Sequence, residues 1–85
     1  MKRPSRSMSQ LASMKRNPRG DWTIHDVVFV CRSFGIEGDL PSNGSNYVVW
    51  HPEIDGQLTI PAKRPIKPIY IQLLVSLVEG ALKLE

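Results

Sequence analysis

The sequence predicts an α+β domain in which helices cover one face of a small antiparallel sheet, and three segments predict it. Residues 23 to 34 carry apolar side chains at helical spacing between a start and a stop signal. Residues 46 to 60 hold two alternating strands joined by a turn, and the residues after Pro68 return to helical spacing. Eighty-five residues, 41% of them hydrophobic, allow one domain with one modest core.

The helix over 23–34 is the best marked. Thr23 is an N-cap residue and Asp26, three positions on, completes a capping-box pattern. Ile24, Val27, Val28, Cys31 and Phe34 then form one apolar stripe, and Gly35 stands where a left-handed C-cap is wanted. Phe29 and Val30 widen the stripe, so this helix is expected between the sheet and the N-terminal segment.

Residues 36 to 44 are rich in Gly, Pro and Asn and leave room for a short first strand around Ile36 before a turn at Asn43-Gly44. The second strand, 46 to 51, alternates Tyr47, Val49 and His51 against Asn46, Val48 and Trp50. Pro52 ends it, Asp55-Gly56 turns the chain, and Gln57 to Ile60 forms the third strand of a meander. Pro61, Pro65 and Pro68 stiffen a connector. Pro68 heads a helix with Tyr70, Leu74, Leu77, Val78 and Ala81 on its apolar face and Gln72, Ser76, Glu79 and Lys83 on a narrow polar stripe.

Residues 1 to 20 read as a basic extension of a domain at 21–83. Within the extension Met8, Leu11 and Met14 recur every third residue, a short helix over 7–15 that Asn17-Pro18-Arg19-Gly20 ends. So short a helix needs a surface to pack on, either this domain's own body or a partner chain.

The net charge of +3 is unevenly spread. Lys2, Arg3, Arg6, Lys15, Arg16 and Arg19 face no acid in the first twenty residues, whereas Asp21, Asp26, Glu37, Asp39, Glu53 and Asp55 face only Arg32 between 21 and 55. Lys63, Arg64 and Lys67 form a second basic group. Such groups attract a polyanion through counterion release, and an ordinary solvated surface accounts for the same charges equally well.

Cys31, inside an apolar helical pattern, reads as a buried, reduced thiol, which suits a cytoplasmic protein. No apolar run approaches the roughly 20 residues needed to span a bilayer, and the basic N-terminus lacks the apolar stretch of a secretory signal, so no membrane partner is expected. One cysteine and two well-separated histidines give no metal-ligand spacing. No cofactor is expected either, since neither a phosphate loop nor a Ser-His-Asp set is legible.

The run Asn43-Gly44-Ser45-Asn46-Tyr47-Val48-Val49-Trp50-His51-Pro52, followed by Leu58-Thr59-Ile60-Pro61, resembles the HicA family of bacterial toxin endoribonucleases. In that family a Gly-Ser-His triplet opens the second strand, and a Thr-(Val/Ile)-Pro strand end precedes the C-terminal helix. The resemblance spans residues 22 to 82 and implies a double-stranded-RNA-binding-like fold. It also implies metal-independent cleavage of mRNA, a toxin role in a type II toxin–antitoxin pair, and inhibition by a HicB-like antitoxin.

Asn46 stands where the family's catalytic His stands. An imidazole exchanges a proton near neutral pH and a carboxamide has none to exchange, so RNA binding can survive at this position while acid–base catalysis is lost. Gly44 and Ser45 would let the backbone approach a phosphate closely. Trp50, on Asn46's face, is the better placed of Tyr47 and Trp50 to stack on a base, and Lys63, Arg64 and Lys67 follow the third strand as phosphate contacts. Strict alternation puts His51, the obvious substitute base, on the opposite face, and His25 near a helix start carries no role. Two readings stand open. One is a toxin endoribonuclease silenced by a substitution at residue 46, and the other is a noncatalytic RNA-binding module in which Asn46 is native.

Overall fold

The computed structural model describes residues 5–39 and 46–85. In chain order these form α1 (Ser5–Arg16), α2 (Ile24–Ser33), β1 (Glu37–Asp39), β2 (Asn46–Trp50), β3 (Leu58–Pro61) and α3 (Pro68–Leu82). The turn expected at Asn43-Gly44, and with it Gly44 and Ser45, lies outside the described residues. The architecture is α+β: a helix, a three-stranded antiparallel sheet and a helix, preceded by a further helix.

Both ends of α2 follow from side-chain and backbone hydrogen bonding. Thr23 Oγ1 accepts the Asp26 N–H at 3.3 Å while Asp26 Oδ2 accepts the Thr23 N–H at 2.9 Å, the reciprocal pairing of a capping box. At the far end Gly35 takes φ +73°, and the Ile36 N–H returns to the Cys31 carbonyl at 2.9 Å, closing a Schellman turn. Ile36, expected to lie in the first strand, is therefore the residue that leaves this turn into the core, and β1 begins one residue later.

The strands pair in the order β1-β2-β3, antiparallel throughout. Tyr47 lies opposite Ile60, and Val49 lies opposite both Gly38 and Leu58. Tyr47, Val49 and Ile60 are buried on the face that α2 and α3 cover, with α2 against β1 and α3 against β3. Gly38 is required there: a Cβ at that position would fall inside the Tyr47 phenol, so only glycine lets the ring lie across β1.

The N-terminal helix packs on this domain's own body. Leu11 and Met14 join the core, and Gln10 Nε2 donates to Asp26 Oδ1 at 3.3 Å, tying α1 to the first turn of α2. The buried stripe is Ser7, Leu11 and Met14 rather than the expected Met8, Leu11 and Met14, and Met8 stays exposed. A helix turns every 3.6 residues, so a strict spacing of three drifts off the buried face.

α3 shows a related rotation. Its fully covered residues are Ile71, Leu74, Val75, Val78 and Ala81, with Tyr70 and Leu77 only half-buried at the margin. The cause is α1, which lies along the polar flank: Lys15 bridges Glu79, and Met14 and Lys15 share a shallow hollow with Gln72, Val75 and Ser76. The opposite flank leaves Ile69 and Leu73 exposed. Among the described residues no helix is long and apolar enough to cross a membrane.

Burial pushes the Cys31 thiol up from 9.0 to about 12. The native chain thus keeps a proton that the unfolded chain releases as pH climbs through 9, so native stability falls with rising pH in that window. Relative to Cys31→Ala, the chain should lose up to about 1.4 kcal/mol of unfolding free energy for each pH unit above 9. Urea titrations between pH 8 and 11 measure this, and parallel curves for the two proteins would contradict it.

Candidate nucleic-acid interface

Burying Tyr47 and Val49 dictates what β2 presents on its other side. Asn46, Val48 and Trp50 point away from the helices, Asn46 exposed and the other two half-buried. Pairing extends this face across the sheet: Pro61 lies opposite Asn46 and Thr59 opposite Val48 on β3, while Asp39 lies opposite Val48 and Glu37 opposite Trp50 on β1. Both β1 carboxylates are exposed. The open face is therefore acidic along β1 and becomes basic only beyond the end of β3, so a phosphate chain is repelled from one edge and drawn to the other.

At that basic edge a hollow of about 400 Å³ is lined by Pro61, Lys63, Arg64, Pro65, Lys67 and Tyr70. Its Pro61 wall is the paired neighbour of Asn46, with Cα atoms about 5 Å apart in such a ladder. The connector that forms it is anchored from beneath. Ile66 is fully buried and its N–H donates to the Trp22 carbonyl at 2.8 Å; the Arg64–Pro65 peptide bond is cis.

The three cations are not equivalent. Arg64 forks onto Asp21, with Nε to Oδ1 at 3.0 Å and Nη2 to Oδ2 at 2.5 Å. That hydrogen bonding, aided by the charge of the guanidinium, holds the Asp21 carboxyl below its ordinary value and the Arg64 guanidinium above its own. Lys63 and Lys67 are exposed and make no ion pair among the described residues.

Trp50 lines a separate hollow of about 480 Å³ with His51, Pro52, Ile54, Asp55, Gly56 and Gln57. His51 does not continue the alternation, because β2 ends at Trp50 and the chain turns there. Its Nδ1 accepts the Glu53 N–H at 3.0 Å and its carbonyl accepts the Ile54 N–H at 3.0 Å. This places the proton of the neutral ring on Nε2. Four strand steps, about 13 Å, separate Asn46 from Trp50, and His51 lies beyond that end of the strand, so one reacting atom cannot touch both the Asn46 and His51 side chains. His25 is exposed in the first turn of α2, in the helical layer. Among the described residues no group of His, Cys, Asp or Glu could hold a metal ion.

Of the residues singled out in the sequence, the structure gathers Lys63, Arg64 and Lys67 around one hollow with Pro61, pairs Pro61 with Asn46 across the ladder, and sets Trp50 at the other end of β2. Sequence reasoning missed Tyr70 and Asp21. Tyr70 packs half-buried against the core, as its place on the apolar face of α3 predicts, and in the first turn after Pro68 it also lines the connector's hollow, which the helical pattern alone does not show. Asp21 meets Arg64 across 43 residues of chain, a pairing with no local signal. No protein-family model, no curated protein and no solved structure matches this chain.

Proposed function

We propose that this chain is an RNA-binding protein of the HicA-like toxin class, with the double-stranded-RNA-binding-like fold of that class and with Asn46 in place of the base that would cleave mRNA. The observation that carries the reading is the exposed position of Asn46 at the start of β2, directly paired with the strand residue that lines the basic hollow. A side chain so placed reaches a phosphodiester held by Lys63 and Lys67, and an imidazole there could take or give a proton without a metal. The carboxamide of Asn46 keeps the hydrogen bonds and loses the proton transfer. A HicB-like antitoxin would inhibit by laying an acidic surface over Asn46 and the basic edge, competing with RNA for the same groups. This activity belongs to the cytoplasm, where mRNA is met.

Asn46→His should therefore cleave RNA in the presence of EDTA, about 100- to 10,000-fold faster than the Asn46 chain, and should arrest growth when expressed without an antitoxin. Intact RNA and normal growth with the His form would rule out the nuclease scaffold.

The Arg64–Asp21 fork sharpens the expectation for salt dependence. Lys63→Ala with Lys67→Ala should reduce the log–log salt slope of single-stranded RNA binding by about 1.4. Asp21→Asn should steepen it by about 0.7, because it releases Arg64 to a phosphate. Filter-binding titrations across a salt series measure both, and a slope indifferent to the lysines would move the interface to Lys15, Arg16 and Arg19.

A further inference from the structure

The basic hollow differs from a patch of lysines on a flat surface. Three of its six lining residues are rings, Pro61, Pro65 and Tyr70, and the other three are cations of one connector, Lys63, Lys67 and the Asp21-paired Arg64. Its volume of about 400 Å³ falls among small-ligand sites, which run from about 300 to 1,000 Å³. The walls are held in place before any ligand arrives. Proline fixes its own backbone angle, Pro61 is paired into the sheet, and buried Ile66 pins the segment between Pro65 and Lys67 to Trp22. A chain phosphate alone needs neither a cavity nor apolar walls. A planar aromatic ring carrying a phosphate uses both.

Resting on the RNA reading above, we infer that this hollow is a subsite for one unstacked nucleotide. The base lies against the Tyr70 ring between Pro61 and Pro65, and its phosphate sits on Lys63 and Lys67, leaving the adjacent phosphodiester at Asn46. The acidic β1 edge fixes the direction of approach, since Glu37 and Asp39 keep the phosphate chain on the β3 side of the face. The substrate class that follows is single-stranded RNA. A base held in a duplex has both its faces stacked and cannot enter, so paired RNA binds only through the phosphate term.

The test uses the full chain, a six-nucleotide single-stranded RNA and a blunt RNA duplex of the same composition. Tyr70→Ala should weaken single-strand binding by about ten-fold or more, leave the salt slope unchanged and leave duplex binding unchanged, while Tyr70→Phe keeps the ring and the affinity. Because Tyr70 is half-buried, the unaltered chain supplies a second readout: the Tyr70 ring resonances should shift on titration with the single strand and stay in place with the duplex. Normal single-strand affinity in Tyr70→Ala, with silent Tyr70 resonances, would overturn the subsite while leaving RNA binding on the sheet face standing. Loss of affinity for strand and duplex alike would overturn it also. An acidic peptide that shifts the Tyr70 ring where the RNA does not would assign the hollow to a protein partner instead. Failure of both RNAs to bind the unaltered chain would remove the RNA reading together with the subsite.

Discussion

The pairing of β2 on both of its edges is the constraint from which the rest of the molecule follows. With Tyr47 set against Ile60 and Val49 against Gly38 and Leu58, the strand has one register that buries its apolar side chains. A slip of one residue would exchange the two faces, exposing Tyr47 and Val49 and driving Asn46 into the core. A slip would bury Val48 and Trp50 in exchange for Tyr47 and Val49, so the register is decided by the unpaired Asn46 carboxamide, whose burial costs about 1–3 kcal/mol, and by the fit of the Tyr47 ring over Gly38. That Asn46, Val48 and Trp50 face away from the helices is thus a consequence of packing on the other side of the same strand. Gly38 belongs to the same arrangement, because its missing side chain is what admits the Tyr47 ring.

Electrostatics then divides the face that packing has created. Carboxylates on β1 and cations after β3 give the open surface a direction, with Lys63 and Lys67 exposed on the connector. The fork between Arg64 and Asp21 is solvent-exposed and therefore weak and screened by salt, so it can open without disturbing the fold. Asp21 acts as a competitor for the site's third cation.

Much of the fold was readable because local signals and tertiary packing agree. Thr23 with Asp26, and Gly35 after Phe34, mark the ends of α2 in the sequence as they do in the structure. The alternation from Asn46 to Trp50 needed only the period of a strand to assign its faces. The readings that shifted are those in which neighbours distant in sequence decide the outcome. Met8 yields its place to Ser7 because α1 packs at the helical period, and α3 turns its buried stripe toward α1 because α1 packs along that flank. His51 leaves the expected alternation because the strand ends at Trp50, one residue before it. The basic edge of the candidate site was visible as a charge group, but the hollow was not, since Tyr70 and Pro61 come from different elements and meet only when the connector folds back.

The central claim, that the open face of the sheet at Asn46 and the connector beyond it meets RNA, is tested most directly by mapping backbone amide resonances while single-stranded RNA is added. The account predicts shifts concentrated at Asn46, Val48, Trp50, Thr59 and residues 62 to 67, with α1 and the buried face of α3 unmoved. Shifts confined to Lys15, Arg16 and Arg19, or spread evenly over the basic surface with Asn46 silent, would contradict it.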